Sequence, residues 1–143
     1  MQAIPKRILS FIKKHHVLTL STAKNNVPYS CSCFYVFDEK NLRFIFTSEE
    51  KTRHAQELLE NKNAAVNIFL ETKIIGKIQG IQACGEVKQL RTEEAFKQAR
   101  KLYLYRFPYA VFSIKDLWAF EVNYIKLTDN RLGFGKKIIW ENN

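Results

Sequence analysis

Apolar and polar positions alternate along this chain with two periods. Ile4, Ile8 and Ile12 recur every four residues, with Leu9 and Phe11 beside them and Lys6, Arg7, Lys13 and Lys14 on the wet side. That spacing predicts a core-packing helix over 4–14, with Pro5 in a first-turn position. A strand is predicted over 17–21, and Lys24-Asn25-Asn26 before Pro28 is turn chemistry. Alternation is then strict: Tyr29, Cys31, Cys33, Tyr35 and Phe37 share one face, and Ser30, Ser32, Phe34 and Val36 the other, which predicts a strand. Asp38 to Asn41 turn the chain into an apolar run over 42–46. Three antiparallel strands thus precede a helix over 49–60, whose apolar side is Ala55, Leu58 and Leu59.

The second half repeats the alternation. Strands are predicted over 64–70 and 78–90, with a loop or hairpin tip over 72–77. Gly80 and Gly85 fall inside the longer strand, where glycine marks a bulge or bend and suggests a sheet curling towards a barrel. Thr92 N-caps a helix with Phe96, Ala99, Leu102 and Tyr103 on its apolar face, ending before Pro108. Residues 109–114 read as a short helix or irregular chain. Trp118, Phe120, Val122 and Tyr124 alternate in a strand that runs to Leu127. Thr128-Asp129-Asn130 is a turn, and the tail with Gly133 and Gly135 reads as a loop over a ligand followed by a short strand. There is no internal repeat and no linker, so the prediction is one α+β, mainly β, domain over residues 1–143.

The chemistry concentrates where the 42–46 strand feeds the helix. Thr47 and Ser48 stand at the junction, followed by Lys51, Thr52 and Arg53. The first N–H groups of a helix lack internal partners and carry partial positive charge, so hydroxyls and a lysine there suit a terminal phosphate. The same residues also fit a capping box with Thr47 as N-cap and Glu50 as its reciprocal carboxylate. The local sequence leaves both open.

Charge sharpens the first reading. The 143 residues carry 23 Lys and Arg against 14 Asp and Glu, a net charge of +9, which favours anionic partners. A basic module for nucleic acid is therefore an alternative, with Arg100, Lys101, Arg106, Arg131, Lys136 and Lys137 as its patch and Tyr103 or Tyr105 to stack on bases. Three cysteines with no secretion signal point to a reducing, cytoplasmic setting. No segment has the roughly 20 apolar residues that span a bilayer. Cys31, Cys33 and Cys84 form no CxxC pair and no His–Cys spacing typical of zinc. They read as buried, hydrophobe-like thiols, and no metal is expected.

Four segments carry a resemblance. They are Glu49-Glu50-Lys51-Thr52-Arg53-His54-Ala55-Gln56, Gly80-Ile81-Gln82 with Gly85-Glu86, Arg106-Phe107-Pro108, and Thr128-Asp129-Asn130 through Leu132-Gly133-Phe134-Gly135-Lys136-Lys137 to Trp140. With the order of elements, they resemble the FMN-binding split β-barrel, or pyridoxamine-phosphate-oxidase-like, superfamily, and within it the small bacterial YhbP-type proteins. The resemblance implies a six- to seven-stranded antiparallel split barrel with peripheral helices. It also implies a homodimer with two FMN sites at the subunit interface, and a flavoprotein oxidoreductase whose cofactor carries the hydride chemistry. By the same resemblance Thr47, Ser48, Lys51, Thr52 and Arg53 hold the phosphate. The strand segment with Cys33 and Phe34 lies along the flavin ring, Gln82 of the partner subunit adds contacts, and Lys136 comes from the tail. The true oxidase has an Arg and a Lys on the strand that is 29–36 here. This strand has neither, so pyridoxamine-phosphate oxidase activity is not expected. Some split barrels use haem instead, for which His15, His16 or His54 would be the axial ligand.

Overall fold

The computed structural model describes residues 2–143. Helix α1 (Lys6–Lys14) follows Pro5 and buries Ile8, Phe11 and Ile12. Strands β1 (Val17–Lys24) and β2 (Val27–Phe34) form a hairpin. Asn25 and Asn26 turn it at φ 50° and 63°, the conformation that two-residue hairpin turns require and asparagine tolerates. The predicted 29–37 strand breaks at Tyr35, whose N–H donates to His16 O at 3.0 Å and whose hydroxyl donates to Ile12 O at 2.5 Å. Beyond this break, β3 (Val36–Asp38) pairs with β4 (Arg43–Thr47).

Helix α2 (Arg53–Glu60) starts later than the apolar spacing suggests. It leads to β5 (Asn63–Phe69) and β6 (Gln79–Gln89), joined through a short 3-10 turn at Ile75–Lys77. Helix α3 (Glu93–Arg106) has Thr92 as its predicted N-cap, the hydroxyl accepting from Ala95 N at 3.2 Å. A 3-10 turn at Pro108–Phe112 precedes β7 (Leu117–Asp129), and another at Asn130–Leu132 precedes β8 (Lys137–Glu141).

All eight strands join one antiparallel sheet in the order β2-β1-β5-β6-β7-β4-β3, with β8 also on β7. The long β7 divides one edge between two partners, its first residues pairing with β4 and its last with β8. The split-barrel reading holds. The strand count reaches eight because the predicted 29–37 run breaks in two. A bulge at Cys84/Gly85 bends β6. A Cβ on Gly85 would lie 2.1 Å from the Glu121 carbonyl oxygen, so only glycine admits this close strand approach.

Burial explains the 42–46 run. Phe44 and Phe46 face the main core with Tyr35, Trp118 and Phe120. Ile45, on the other face, packs under α3 with Leu90, Ala99, Tyr103, Leu117 and Ala119. A strand covered on both faces loses its alternation. Each such large side chain buried contributes about 1.5–3 kcal/mol. Among the described residues no helix is long and apolar enough to cross a membrane.

Candidate functional site

The sheet leaves β2 as an edge strand, and its inner face meets the β4–α2 junction. Thr47 ends β4 opposite Leu117, and its hydroxyl donates to Asp116 O at 2.8 Å. Thr52, not Thr47, is the N-cap of α2, with its Oγ1 3.4 Å from Ala55 N and donating to Glu49 O at 2.9 Å. The capping box predicted from Thr47 and Glu50 is therefore absent. The stretch from Ser48 to Lys51 forms a turn, because Asp116 draws the backbone across: Ser48 N donates to its carbonyl and Glu50 N to its carboxylate at 3.0 Å. Trp118 Nε1 fixes the Ser48 carbonyl at 2.8 Å.

The two acids of the junction are accounted for. Lys115 donates to Glu49 at 3.0 Å and Lys51 lies 3.1 Å from the same carboxylate, and these two lysines, Lys115 first, hold the Glu49 carboxyl below its usual range. Glu50 turns to Gln89 at 3.1 Å and Arg91 at 3.9 Å. Arg53 is also engaged, its guanidinium 4.1 Å above the Tyr29 ring and 3.6 Å from the buried carboxylate of Glu57.

On the inner side of the junction His54 Nε2 bonds Ser48 Oγ at 2.7 Å and Thr52 Oγ1 at 3.3 Å. Beside it, Cys31 and Cys33 bring their sulfurs to 3.9 Å. Hydrogen bonding from Cys33, reinforced by His54 and opposed by burial, holds the Cys31 thiol below the usual thiol range. Cys33 is pushed up, first by that same bond and then by burial. Cys33 is buried and Cys31 half-buried, whereas Cys84 is exposed on the opposite face of the sheet, so the three do not meet.

Of the residues nominated from sequence, Thr47, Ser48, Lys51, Thr52, Arg53 and Cys33 come together in one chain. Phe34 does not, because it points to the other face of β2 and packs on Phe107 with ring centroids 5.6 Å apart. Gln82 is exposed on β6, seven residues from Gln89 at the junction end, roughly 23 Å of strand. Lys136 precedes β8 at the far end of β7. The trio of Cys31, Cys33 and His54 was missed as a unit. Only the i, i+2 cysteine spacing could have signalled part of it.

The basic patch predicted from sequence loses three of its members, while Lys101, Lys136, Lys137 and Tyr105 stay exposed. Arg106 donates to the carbonyls of Tyr35 at 2.9 Å, Lys13 at 3.1 Å and also His15, Arg131 is paired with Asp129 at 2.9 Å, and Tyr103 is buried. The histidines at the end of α1 also differ in setting. His15 stacks on Phe11 at 4.2 Å, and burial, with Lys14, His16 and Arg106 adding to it, lowers its pKa. A separate cavity of about 490 Å³ lies between α1 and the end of β7, lined by Arg7, Lys14, Gln79, Asp129 and Arg131 among others.

Residues 4–128 match the protein family described as pyridoxamine 5'-phosphate oxidase. The chain belongs to that family. It is 38% identical over 135 residues to the UPF0306 protein PM1958 of Pasteurella multocida (strain Pm70), covering 94% of this chain and 90% of the relative. Among solved structures it resembles a heme-binding protein from Mycobacterium smegmatis, with a TM-score of 0.77 at 14% identity over 98% of this chain. It spans only 60% of that longer protein. It also resembles a FAD-binding protein from Mesorhizobium loti, with a TM-score of 0.70 at 11% identity over 88% of this chain and 95% of that one. At such identities the two structures establish the fold.

Proposed function

We propose that the β4–α2 junction binds the phosphate of FMN, and that the protein is a flavoprotein oxidoreductase acting as a homodimer. The observation that carries this reading is the convergence of Thr47, Ser48, Lys51 and Thr52 at the start of α2, with Glu49 also held by Lys115 and Glu50 by Gln89 and Arg91. That removes the main electrostatic objection to a phosphate between Glu49 and the helix. The residues fit the group: Ser48 and Thr52 supply hydroxyls, Lys51 supplies an exposed ammonium, and the first turn of α2 supplies unpaired N–H groups. Arg53, committed to Tyr29 and Glu57, orients α2 instead of binding the anion.

When bound, FMN would supply hydride or electron transfer at its ring. The chain's own part is to hold the phosphate, to lay the Cys33 segment of β2 beside the ring and to exclude water. Gln82 and Lys136 reach a junction only from a second copy. Gln82 lies in an uncharged polar row with Ser32, half-buried Thr19 and Asn67 across β2, β1, β5 and β6. An uncharged polar row on a +9 protein is a surface a second subunit can cover.

Haem is the second reading, favoured by the likeness to the M. smegmatis heme-binding protein. His16, exposed after α1, is then the best-placed ligand, since His54 is bonded to Ser48 and Thr52 and His15 stacks on Phe11. A visible absorption spectrum of the purified protein, before and after adding FMN and then haem, separates the two. Protein-bound flavin bands are expected. A Soret band instead moves haem to the front, and a protein that takes up neither overturns both.

A further inference from the structure

We propose that Cys31, Cys33 and His54 form a binding site for a thiophilic d10 cation of the zinc class, with one coordination position left for water or an outside ligand. The site is built by the fold and not by a local motif. The period of two along β2 puts both cysteines on its inner face, opposite the buried Leu20 and Leu18 of β1. The first turn of α2 then sets His54 over them. The three candidate donor atoms lie within 4.8 Å of one another.

The distances suit a metal better than a disulfide. Two thiolates bound at about 2.3 Å in a tetrahedron stand about 3.8 Å apart, and these sulfurs are 3.9 Å apart. Sulfur and imidazole nitrogen on the same ion stand about 3.6 Å apart, so a side-chain adjustment of about 1 Å closes the trio. A disulfide needs the sulfurs at about 2.05 Å and the Cα atoms no further than about 6.8 Å apart, a limit that residues two apart on an extended strand already approach. The donor chemistry narrows the cation. Two sulfurs and one imidazole, with no carboxylate in the trio, select zinc-like or cuprous ions over magnesium and calcium. Two thiolates also neutralise a dication without a further counter-charge. The Ser48 hydroxyl is bonded to His54 Nε2 at 2.7 Å. Metal entry exchanges that bond for coordination.

The test uses the full chain, reduced, chelator-treated and free of flavin, titrated with Co2+ and then Zn2+. The expected result is a 1:1 cobalt complex with sulfur-to-cobalt charge transfer, displaced by Zn2+. It should be lost in Cys33→Ser and Cys31→Ala, weakened at least about tenfold in His54→Gln, and unchanged in Cys84→Ser. Cys31 is half-buried, so Cys31→Ala keeps the test open should Cys33→Ser misfold. No charge-transfer band in the wild type, or a band that survives Cys31→Ala but vanishes in Cys84→Ser, overturns the site. Lys51→Ala should keep the metal, which keeps this outcome independent of the flavin reading.

Discussion

Lys51 and Thr52 are adjacent, and the structure assigns them opposite fates on mutation. The Lys51 side chain is 83% exposed and, among the described residues, pairs only with Glu49, which Lys115 also holds. Lys51→Ala should therefore leave thermal stability unchanged. If Lys51 meets the FMN phosphate, the variant loses a charge-assisted hydrogen bond of roughly 1.5–3 kcal/mol. At about 1.4 kcal/mol per factor of ten, FMN affinity should fall roughly 10- to 100-fold. Thr52→Ala removes the helix cap as well as a ligand hydroxyl, costing about 1 kcal/mol and lowering Tm by roughly 3–5 °C for a domain of this size. Quenching of free-flavin fluorescence on titration gives the affinities, and calorimetry gives Tm. A Lys51→Ala protein that binds FMN as tightly as wild type, beside a Thr52→Ala protein altered only in Tm, would refute the phosphate site and leave a helix cap.

Gly85→Ala should destabilise by about 3 kcal/mol or more, because its Cβ meets a backbone oxygen that cannot swing aside. Gly76→Ala, with nothing within 4 Å, is the control expected within about 0.5 kcal/mol of wild type. Equal urea midpoints for the two would contradict the bulge. Arg106→Ala should cost about 2–4 kcal/mol by stranding three carbonyls. Arg106→Lys should recover less than half, since an ammonium lacks the guanidinium fork; full rescue in denaturant titration would mean that charge alone matters. Hydrogen bonding to Arg131 depresses the pKa of Asp129, outweighing burial. The Asp129 contribution is therefore complete above the ordinary carboxylate range near 4 and lost as pH falls through the lower folded value. The stability gap between wild type and Asp129→Asn should be full at neutral pH and narrow as pH falls below the ordinary carboxylate range; a gap independent of pH would contradict the pairing.

The elements that local pattern specifies were legible in the sequence. The four-residue recurrence of Ile4, Ile8 and Ile12 placed α1, Thr92 capped α3, and the alternation from Trp118 placed β7, because a half-buried element records its burial period in its own residues. The glycines in β6 announced the bulge that curls the sheet. The hydroxyl-rich end of β4 announced the junction. Long-range contacts decided the rest. Asp116, 68 positions after Ser48 in the chain, pulls the junction into a turn, so the cap falls on Thr52 and not Thr47. Arg106 looked like a surface cation, but its carbonyl partners lie at the end of α1 and at the β2–β3 break. Cys31 and Cys33 carried half of their trio in their spacing. His54 entered it only when α2 closed over β2, a placement set by packing between distant segments that no local period records.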